Sequence, residues 1–365
     1  MALDVCIRGA GIVGRTLALL LAQDRLRVGL VSDTPRGGAN SDVRAYALNA
    51  ASRELLERVR GWPDAQHATP VVRMEVHGDE GGEIHFRAED QRVDALAWIV
   101  DVQALMARLD EALRYQSGVQ RITAAEPAAL TVVCEGRASA TREEFRVDYE
   151  VTPYPQRAIA ARLACERPHD GVARQWFCRG EILALLPLDG AGGHAVALVW
   201  SVQDDRAPAL LSLTDGEFAA QVEQVCQGAA GKLTLMSERA AWPLQLARAD
   251  HWCGQGWALA GDAAHTVHPL AGQGLNLGLA DAGELAQVLH EREYWRNIGD
   301  KRLLRRYERS RKADMLAMGA ATDGLQQLFS RPEAPLAWLR NWGMTGFDRS
   351  GPLKGWVARQ AMGRL

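Results

Sequence analysis

The most constraining feature of this chain is the run Gly9-Ala10-Gly11-Ile12-Val13-Gly14, which follows an apolar stretch at residues 4–8 and precedes another at 16–22. Three glycines at this spacing each answer a steric demand. The first permits a tight turn from strand to helix, the second lets the backbone approach a phosphate, and the third lets helix and strand pack without a Cβ between them. The helix that follows offers free N–H groups and the positive end of its dipole to an anion. The pattern predicts a strand over 4–8, a helix over 11–23 and a second strand over 27–31, the βαβ opening of a dinucleotide fold. Gly9, Gly11, Ile12, Val13 and Gly14 are its candidate binding residues. An acid normally ends the second strand and holds ribose hydroxyls. Here the strand runs into Ser32-Asp33, so either residue is a candidate, and Asp33 reads equally well as part of the next turn.

A second glycine cluster lies some 250 residues downstream. An apolar strand at Trp257–Ala260 delivers Gly261-Asp262, and Pro269-Leu-Ala-Gly272-Gln273-Gly274-Leu275-Asn276-Leu-Gly278 then opens a helix. Ligands of open α/β sheets bind at the carboxyl ends of strands. Two such junctions in one chain point to a single large ligand spanning both.

Between them the pattern changes. Val71–His77 and Glu83–Arg87 flank Gly78-Asp-Glu-Gly-Gly82, a hairpin signal. Helical spacing marks Ala50–Arg60 and Val102–Leu113, and Leu130–Val133 is a short apolar strand. Strand-like runs at Ile159–Cys165, Ile182–Leu186 and Ala195–Val202 follow one another without helices, which predicts an antiparallel sheet inserted into the first unit. The expected fold is α/β: a Rossmann-like domain with an inserted antiparallel-sheet substrate domain and a helical C-terminal region. The predicted boundaries are 1–67, 98–155 and 244–300 for the first, 68–97 and 156–243 for the second, and 301–365 for the third.

Composition narrows the function classes. The 365 residues are 47% hydrophobic and 24% charged with a net charge of −3, so no global positive field points to nucleic acid. Six scattered cysteines without a C-x-x-C pair favour reduced thiols and a cytoplasmic setting over a disulfide framework or zinc site. No apolar run reaches the roughly 18 residues of a membrane span, and the first strand begins too early for a signal peptide.

The motifs together resemble the single-component FAD-dependent aromatic hydroxylases. The resemblance rests on Gly9–Gly14, Asp42-Val-Arg44, Gly261-Asp262 and Pro269-x-x-Gly272-Gln-Gly-x-Asn276. It extends to the branch that hydroxylates the ubiquinone ring precursor through Asp42–Ser52, Leu56, Trp62, Arg306–Asp314, Leu328–Ser330, Leu339–Asn341 and Pro352–Lys354. It implies bound FAD, NAD(P)H as a transient co-substrate and hydroxylation of a phenolic ring, a polyprenylated quinone precursor, through a flavin C4a-hydroperoxide. By the same resemblance Arg44 contacts the FAD pyrophosphate, Gln103 lies beside the ribityl chain, and Asp262 binds the ribityl or pyrophosphate region. Pro269, Gly272, Gln273, Gly274, Leu275 and Asn276 border the isoalloxazine ring, the first four of them next to the reacting atoms. The hydrophobic aromatic substrate is expected in an apolar pocket drawn from Leu183–Leu188 and Ala195–Trp200, residues that read equally well as plain core.

Three departures from the family pattern leave other readings open. Ser32 stands where an acid is usual, Glu135-Gly136 replaces an Asp-Gly pair, and residues 118–129 are too few for a β-meander. A non-catalytic FAD-binding subunit of a biosynthetic complex therefore stays in view, as does another flavin oxidoreductase such as a halogenase or prenyl reductase. The halogenase reading expects a lysine near the flavin, and the first lysine is Lys232. Lys301, Arg302, Arg305, Arg306, Arg309, Arg311 and Lys312, with a second basic piece at Leu353–Leu365, suit peripheral contact with the inner face of a membrane or simply a solvated helix. Homo-oligomerisation is equally open.

Overall fold

The computed structural model describes residues 2–32, 42–79, 81–190, 192–267 and 273–330, with side chains up to residue 315. Asp33, the Pro269–Gly272 segment and everything after residue 330 lie outside the described residues.

In chain order, β1 (Leu3–Arg8), α1 (Ile12–Gln23) and β2 (Val28–Val31) form the predicted opening. They are followed by β3 (Ala45–Leu48), α2 (Ala50–Arg58), β4 (Ala68–Val71), β5 (Arg73–His77), β6 (Glu83–Arg87), β7 (Ala97–Asp101) and α3 (Val102–Arg114). Then come β8 (Val119–Ile122), β9 (Ala128–Val133), α4 (Ala140–Glu144), β10 (Tyr149–Cys165), β11 (Val172–Cys178), β12 (Glu181–Leu188) and β13 (Ala195–Gln203). The rest comprises α5 (Ala207–Ser212), α6 (Asp215–Val225), β14 (Leu233–Leu235), β15 (Ala240–Ala249), β16 (Cys253–Gly254), β17 (Trp257–Leu259), β18 (His265–Thr266), α7 (Gln273–His290) and α8 (Lys301–Ser330).

One sheet has the order β16-β17-β9-β1-β2-β8, parallel from β17 through β8. Its central strands β1 and β2 are short and apolar because both faces are covered, while the edge strand β8 exposes Gln120 and Arg121. Helix α1 buries an almost unbroken run from Thr16 to Leu21 against β1 and its neighbours, and Leu279, Leu285 and Leu289 of α7 join the same core. Residues 118–129, too few for a meander, supply one edge strand, β8, beside β2.

The second sheet runs β18-β15-β10-β13-β12-β11-β5-β6 with β14 attached to β10, and it is antiparallel except where β11 meets β5. A small third sheet, β3-β7-β4, joins the two larger ones. The two-residue period of the pleat sorts the large sheet's side chains. Ile159, Trp176, Leu183 and Trp200 share one face and pack under α5 and α6 against Leu210, Phe218 and Val222. On the other face, register aligns Gln175, Ala184, Val199, Ala160 and Ala240 in one row across five strands. That row is small, and the space above it is a cavity. Of the residues expected from Leu183–Leu188 and Ala195–Trp200, Ala184, Leu186, Ala197, Leu198 and Val199 line the cavity, while Leu183, Leu185, Val196 and Trp200 belong to the core under α5 and α6.

The predicted run of strands from 159 to 202 has no helix within it, and α5 and α6 follow it in a stretch where the sequence pattern marks no element. Thr214 accepts from the Glu217 N–H while the Glu217 carboxylate accepts from the Thr214 N–H, a capping box that starts α6. The large sheet also takes in residues 149–155 and 244–249, which the predicted boundaries gave to the first domain.

Candidate functional site

The two glycine clusters pack directly on each other. Gly9 sits at φ +111°, and a Cβ there would lie 2.4 Å from the Cys134 carbonyl oxygen, so only glycine makes this turn. A Cβ on Gly14 would stand 2.0 Å from the Gly9 carbonyl oxygen, which makes the close strand–helix approach its task. At Gly11, the N-cap of α1, a Cβ would meet no atom within 4 Å among the described residues beyond its chain neighbours. No side chain caps that helix start, and its first turn carries no acid. Among the described residues no side chain claims the N-terminal N–H groups of α1, which makes them available to an anion. Val13 is the contact between clusters: Cβ atoms built on Gly261 and Gly278 would lie 3.3 Å and 2.8 Å from its Cγ2.

A cavity of about 960 Å³ begins at Gly11, Ile12 and Val13, passes Arg44, Gly261, Asp262 and Gln273–Asn276, and ends on the alanine-rich row of the large sheet. This is the upper end of the range for small-molecule sites, roughly 300–1,000 Å³. A long nucleotide cofactor fits its shape, with an anion site at one end and an apolar floor at the other. Gln273 lines the cavity, and its Oε1 is buried without a hydrogen-bond partner among the described residues.

The polar wall is charged in a defined order. Arg44 donates to both Asp42 carboxylate oxygens at 2.8 Å and 2.6 Å and to the Tyr46 hydroxyl at 3.3 Å. The hydrogen bond with Asp42 holds the guanidinium above its ordinary pKa. The Asp262 side chain is open to the cavity yet crowded by protein behind it. That burial raises its carboxyl above the usual range, although His265, Arg137 and Arg44 pull the other way. The Gly261-Asp262 turn is pinned from two sides. The Tyr149 hydroxyl donates to the Asp262 carbonyl at 3.0 Å under Arg142, whose guanidinium lies 3.6 Å from the Tyr149 ring centroid and donates to the Ala263 carbonyl at 3.1 Å. On the other side the Gly261 N–H donates to buried Asp281 at 2.9 Å.

Several expected site residues behave differently. Asn276 lines the cavity, but its amide is also a strut: Oδ1 accepts from the Asn49 N–H and the Ser52 hydroxyl, and Nδ2 donates to the Ala47 carbonyl. Gln103 is exposed and faces a separate cavity of about 540 Å³ with Asp101, Arg162 and His67, because the large cavity takes Val102 and Met106 from α3 instead. Ser32 ends β2 with its N–H on the Ile122 carbonyl and does not line the cavity; Asp33, Pro269 and Gly272 lie outside the described residues. Glu135 does not reach toward the cavity. Arg8, Ser139 and Thr141 all donate to its carboxylate, which ties β1 to the start of α4 and leaves Gly136 and Arg137 as that segment's contribution to the wall. Asp281, Tyr149 and Arg142 escape sequence reasoning because each stands alone, with no motif around it.

A glycine-turn nucleotide site joined to an apolar chamber between two sheets defines a flavoprotein-type scaffold. Residues 108–320 match the family described as FAD binding domain, more than half of the chain, and the chain belongs to that family. Over 99% of its length it is 32% identical to the ubiquinone hydroxylase UbiL of Rhodospirillum rubrum, covering 90% of that protein. It is 28% identical to the 3-demethoxyubiquinol 3-hydroxylase of Escherichia coli, over 99% of this chain and 98% of that one. Among solved structures, the p-nitrophenol 4-monooxygenase PnpA of Pseudomonas putida superposes with a TM-score of 0.77 at 16% identity over 100% of this chain and 99% of its own. The flavin-dependent brominase Bmp2 superposes equally well, TM-score 0.77 at 13% identity over 100% and 94%, so the fold alone does not choose the reaction.

Proposed function

We propose that this chain is an FAD-dependent monooxygenase that hydroxylates an electron-rich phenolic ring, with a polyprenylated ubiquinone precursor as its substrate and NAD(P)H and O₂ as co-substrates. The observation that carries the reading is the single cavity that joins the open α1 N-terminus to the apolar row Ala184, Val199, Ala160 and Ala240. Nearly full-length similarity to proteins named as ubiquinone hydroxylases supports it. Halogenation has less support: no lysine lines the cavity among the described residues.

FAD, when bound, takes electrons from NAD(P)H and activates O₂, one oxygen atom entering the ring and the other leaving as water. The chain's own part is binding, orientation and exclusion of water. The α1 N–H groups at Gly11–Val13 and the Arg44 guanidinium hold the pyrophosphate. Asp262 accepts hydroxyl donors of the ribityl chain. Gln273, Gly274 and Leu275 border the ring system, and Gln273 Oε1 takes a donor from it. On the substrate side the small row gives a planar ring room to lie flat, while Gln175 and Ser201, both largely buried, orient its hydroxyl.

No helix among the described residues is long and apolar enough to cross a membrane. Contact with lipid, if the substrate is delivered from a bilayer, falls to the exposed residues Lys301, Arg302, Arg305, Arg306 and Arg309 of α8. Arg311 and Lys312 drop out of the predicted basic stretch, the first buried against Asp281 and the second paired with Glu308 at 2.8 Å. Co-sedimentation with vesicles of anionic and neutral lipid tests this, and equal recovery with both refutes it.

The test of the main proposal is direct. The protein should carry FAD near one-to-one and oxidise NAD(P)H faster in the presence of a phenolic quinone precursor, with oxygen recovered in the product ring. Tight FAD binding without substrate-stimulated oxidation would overturn the catalytic reading in favour of a flavin-binding subunit.

A further inference from the structure

Asp281 and Arg311 belong to neither glycine cluster, and the proposed chemistry does not use them. Asp281 lies on α7 with no exposed surface, and three donors converge on it. Oδ2 accepts from the Gly261 N–H at 2.9 Å and from His265 Nε2 at 2.7 Å, and Oδ1 accepts from Arg311 Nε at 2.8 Å. Arg311 is itself 4% exposed. Its other nitrogens donate to the Leu277 carbonyl at 3.4 Å and to Asp314 at 2.6 Å.

A buried carboxylate without a countercharge is costly, so the Asp281 geometry depends on Arg311 staying in place. The Gly261 amide depends in turn on Asp281. Gly261 adopts φ +63°, and the residue after it is Asp262, whose side chain faces the cavity. Arg311 comes from a different element, α8, which is further tied to the same segment. The Tyr307 hydroxyl donates to the Leu259 carbonyl at 2.8 Å. Glu308 accepts from the Trp252 N–H at 2.9 Å, and Trp252 stacks on His265 at 4.9 Å.

We infer that Arg311 is a positioning residue for the Gly261-Asp262 turn, and that docking of α8 and binding of FAD are one coupled equilibrium with Asp281 as the link. The inference rests on FAD as the ligand of the large cavity. Coupling is reciprocal: whatever factor α8 docking contributes to FAD affinity, bound FAD returns to α8 docking. Such factors run from about 5- to 150-fold.

Two measurements on the full chain test it. The first is the FAD dissociation constant of the wild type, Arg311→Met, Arg311→Lys and, as a control on the exposed side of α8, Arg309→Ala. The second is hydrogen exchange of the α8 amides at residues 303–315 with and without saturating FAD, referred to those of α6 in the second sheet. Arg311→Met is expected to weaken FAD at least about tenfold, with Arg309→Ala unchanged. Arg311→Lys, which keeps the charge without the planar fork, should fall between. In the wild type FAD should slow α8 exchange beyond its effect on α6, and by a factor matching the affinity lost in Arg311→Met. A melting temperature lowered equally with and without FAD, at unchanged affinity, would make Arg311 merely structural and overturn the inference. Should Arg311→Met fail to fold, wild-type affinity in Arg311→Lys would overturn it as well. Failure of the wild type itself to bind FAD would be a different result, removing the functional reading and this inference with it.

Discussion

Gly11 and Gly14 occupy one motif three residues apart, yet the structure gives them opposite tasks, and alanine at each separates cofactor binding from folding. At Gly14 the added Cβ would sit 2.0 Å from the Gly9 carbonyl oxygen, against a normal carbon–oxygen contact of about 3.3 Å. Helix and strand would have to part by roughly 1.3 Å along a backbone contact that cannot rotate away, the difference of those two distances. Overpacking of this kind costs about 3 kcal/mol, so Gly14→Ala should lower Tm by roughly 4 °C even without cofactor, at about 2.1 cal/mol/K of unfolding entropy per residue over 365 residues. At Gly11 the same methyl meets no atom within 4 Å among the described residues beyond its chain neighbours. The only folding cost is exchanging glycine for alanine at an N-cap, about 0.5–1 kcal/mol. The methyl instead occupies the space from which the α1 N–H groups reach a phosphate. Losing one hydrogen bond to a charged group costs about 1.5–3 kcal/mol, which weakens FAD roughly 10- to 150-fold. Thermal melting of the apo proteins and a fluorescence titration with FAD read the two effects separately. Wild-type FAD affinity in Gly11→Ala, or a wild-type melting temperature in Gly14→Ala, would refute the assignment of these glycines.

Asp262→Asn should stabilise the apo protein at neutral pH while weakening FAD. A carboxyl whose folded pKa is raised costs stability as pH climbs from the ordinary value, about 3.9, through the raised one, so the difference in Tm should appear above that window and vanish below it. Asp281 has the opposite sign: its folded pKa is lowered, chiefly by His265 and then by Arg311 against the cost of burial. Its contribution is present above the ordinary carboxylate range and lost as pH falls through the lowered value, so Asp281→Asn should flatten the acid limb of the Tm profile. Of the six cysteines only Cys178 is exposed, and burial pushes the Cys253 thiol up to about 12. A disulfide reagent should therefore titrate one thiol rapidly in the native protein and all six in denaturant, and two or more fast thiols would contradict the packing. Ala184→Phe fills the small row over the sheet and should raise the substrate KM about tenfold or more while leaving FAD affinity within about twofold, since steric loss of a preformed apolar pocket is selective. Equal loss of FAD would place that row in the cofactor site instead.

The parts legible in the sequence share one property: their geometry is local. A strand, a turn and a helix within twenty residues leave a pattern, and so β1-α1-β2, the hairpin of β5 and β6, and the strand that delivers Gly261 are read correctly. Helix α6 was equally readable, because Thr214 and Glu217 form a capping signature three residues apart, but strand-rich surroundings mask it. The bulge in β10 between Pro153 and Arg157 has the same origin, as prolines that argue against a strand are accommodated where the ladder shifts register. What stays hidden is tertiary. Nothing near Glu135 announces that Arg8, 127 residues away, will claim its carboxylate. The glutamate that departs from the family's Asp-Gly pair is a brace between β1 and the start of α4.

The same distinction governs the site as a whole. Glycines can be recognised because they are required by what is absent, a Cβ that would collide or fill ligand space. The charges that hold those glycines in place are required by partners far along the chain: Tyr149 lies 113 residues from Asp262, and Arg311 lies 30 residues beyond Asp281. A variant that keeps both glycine clusters but loses Arg311 or Arg142 would retain the cofactor signature, yet its Gly261-Asp262 turn would have lost one of its two anchors. If the inference on Arg311 holds, cofactor affinity should respond to substitutions in α8 and α4 as well as to those in the glycine motifs.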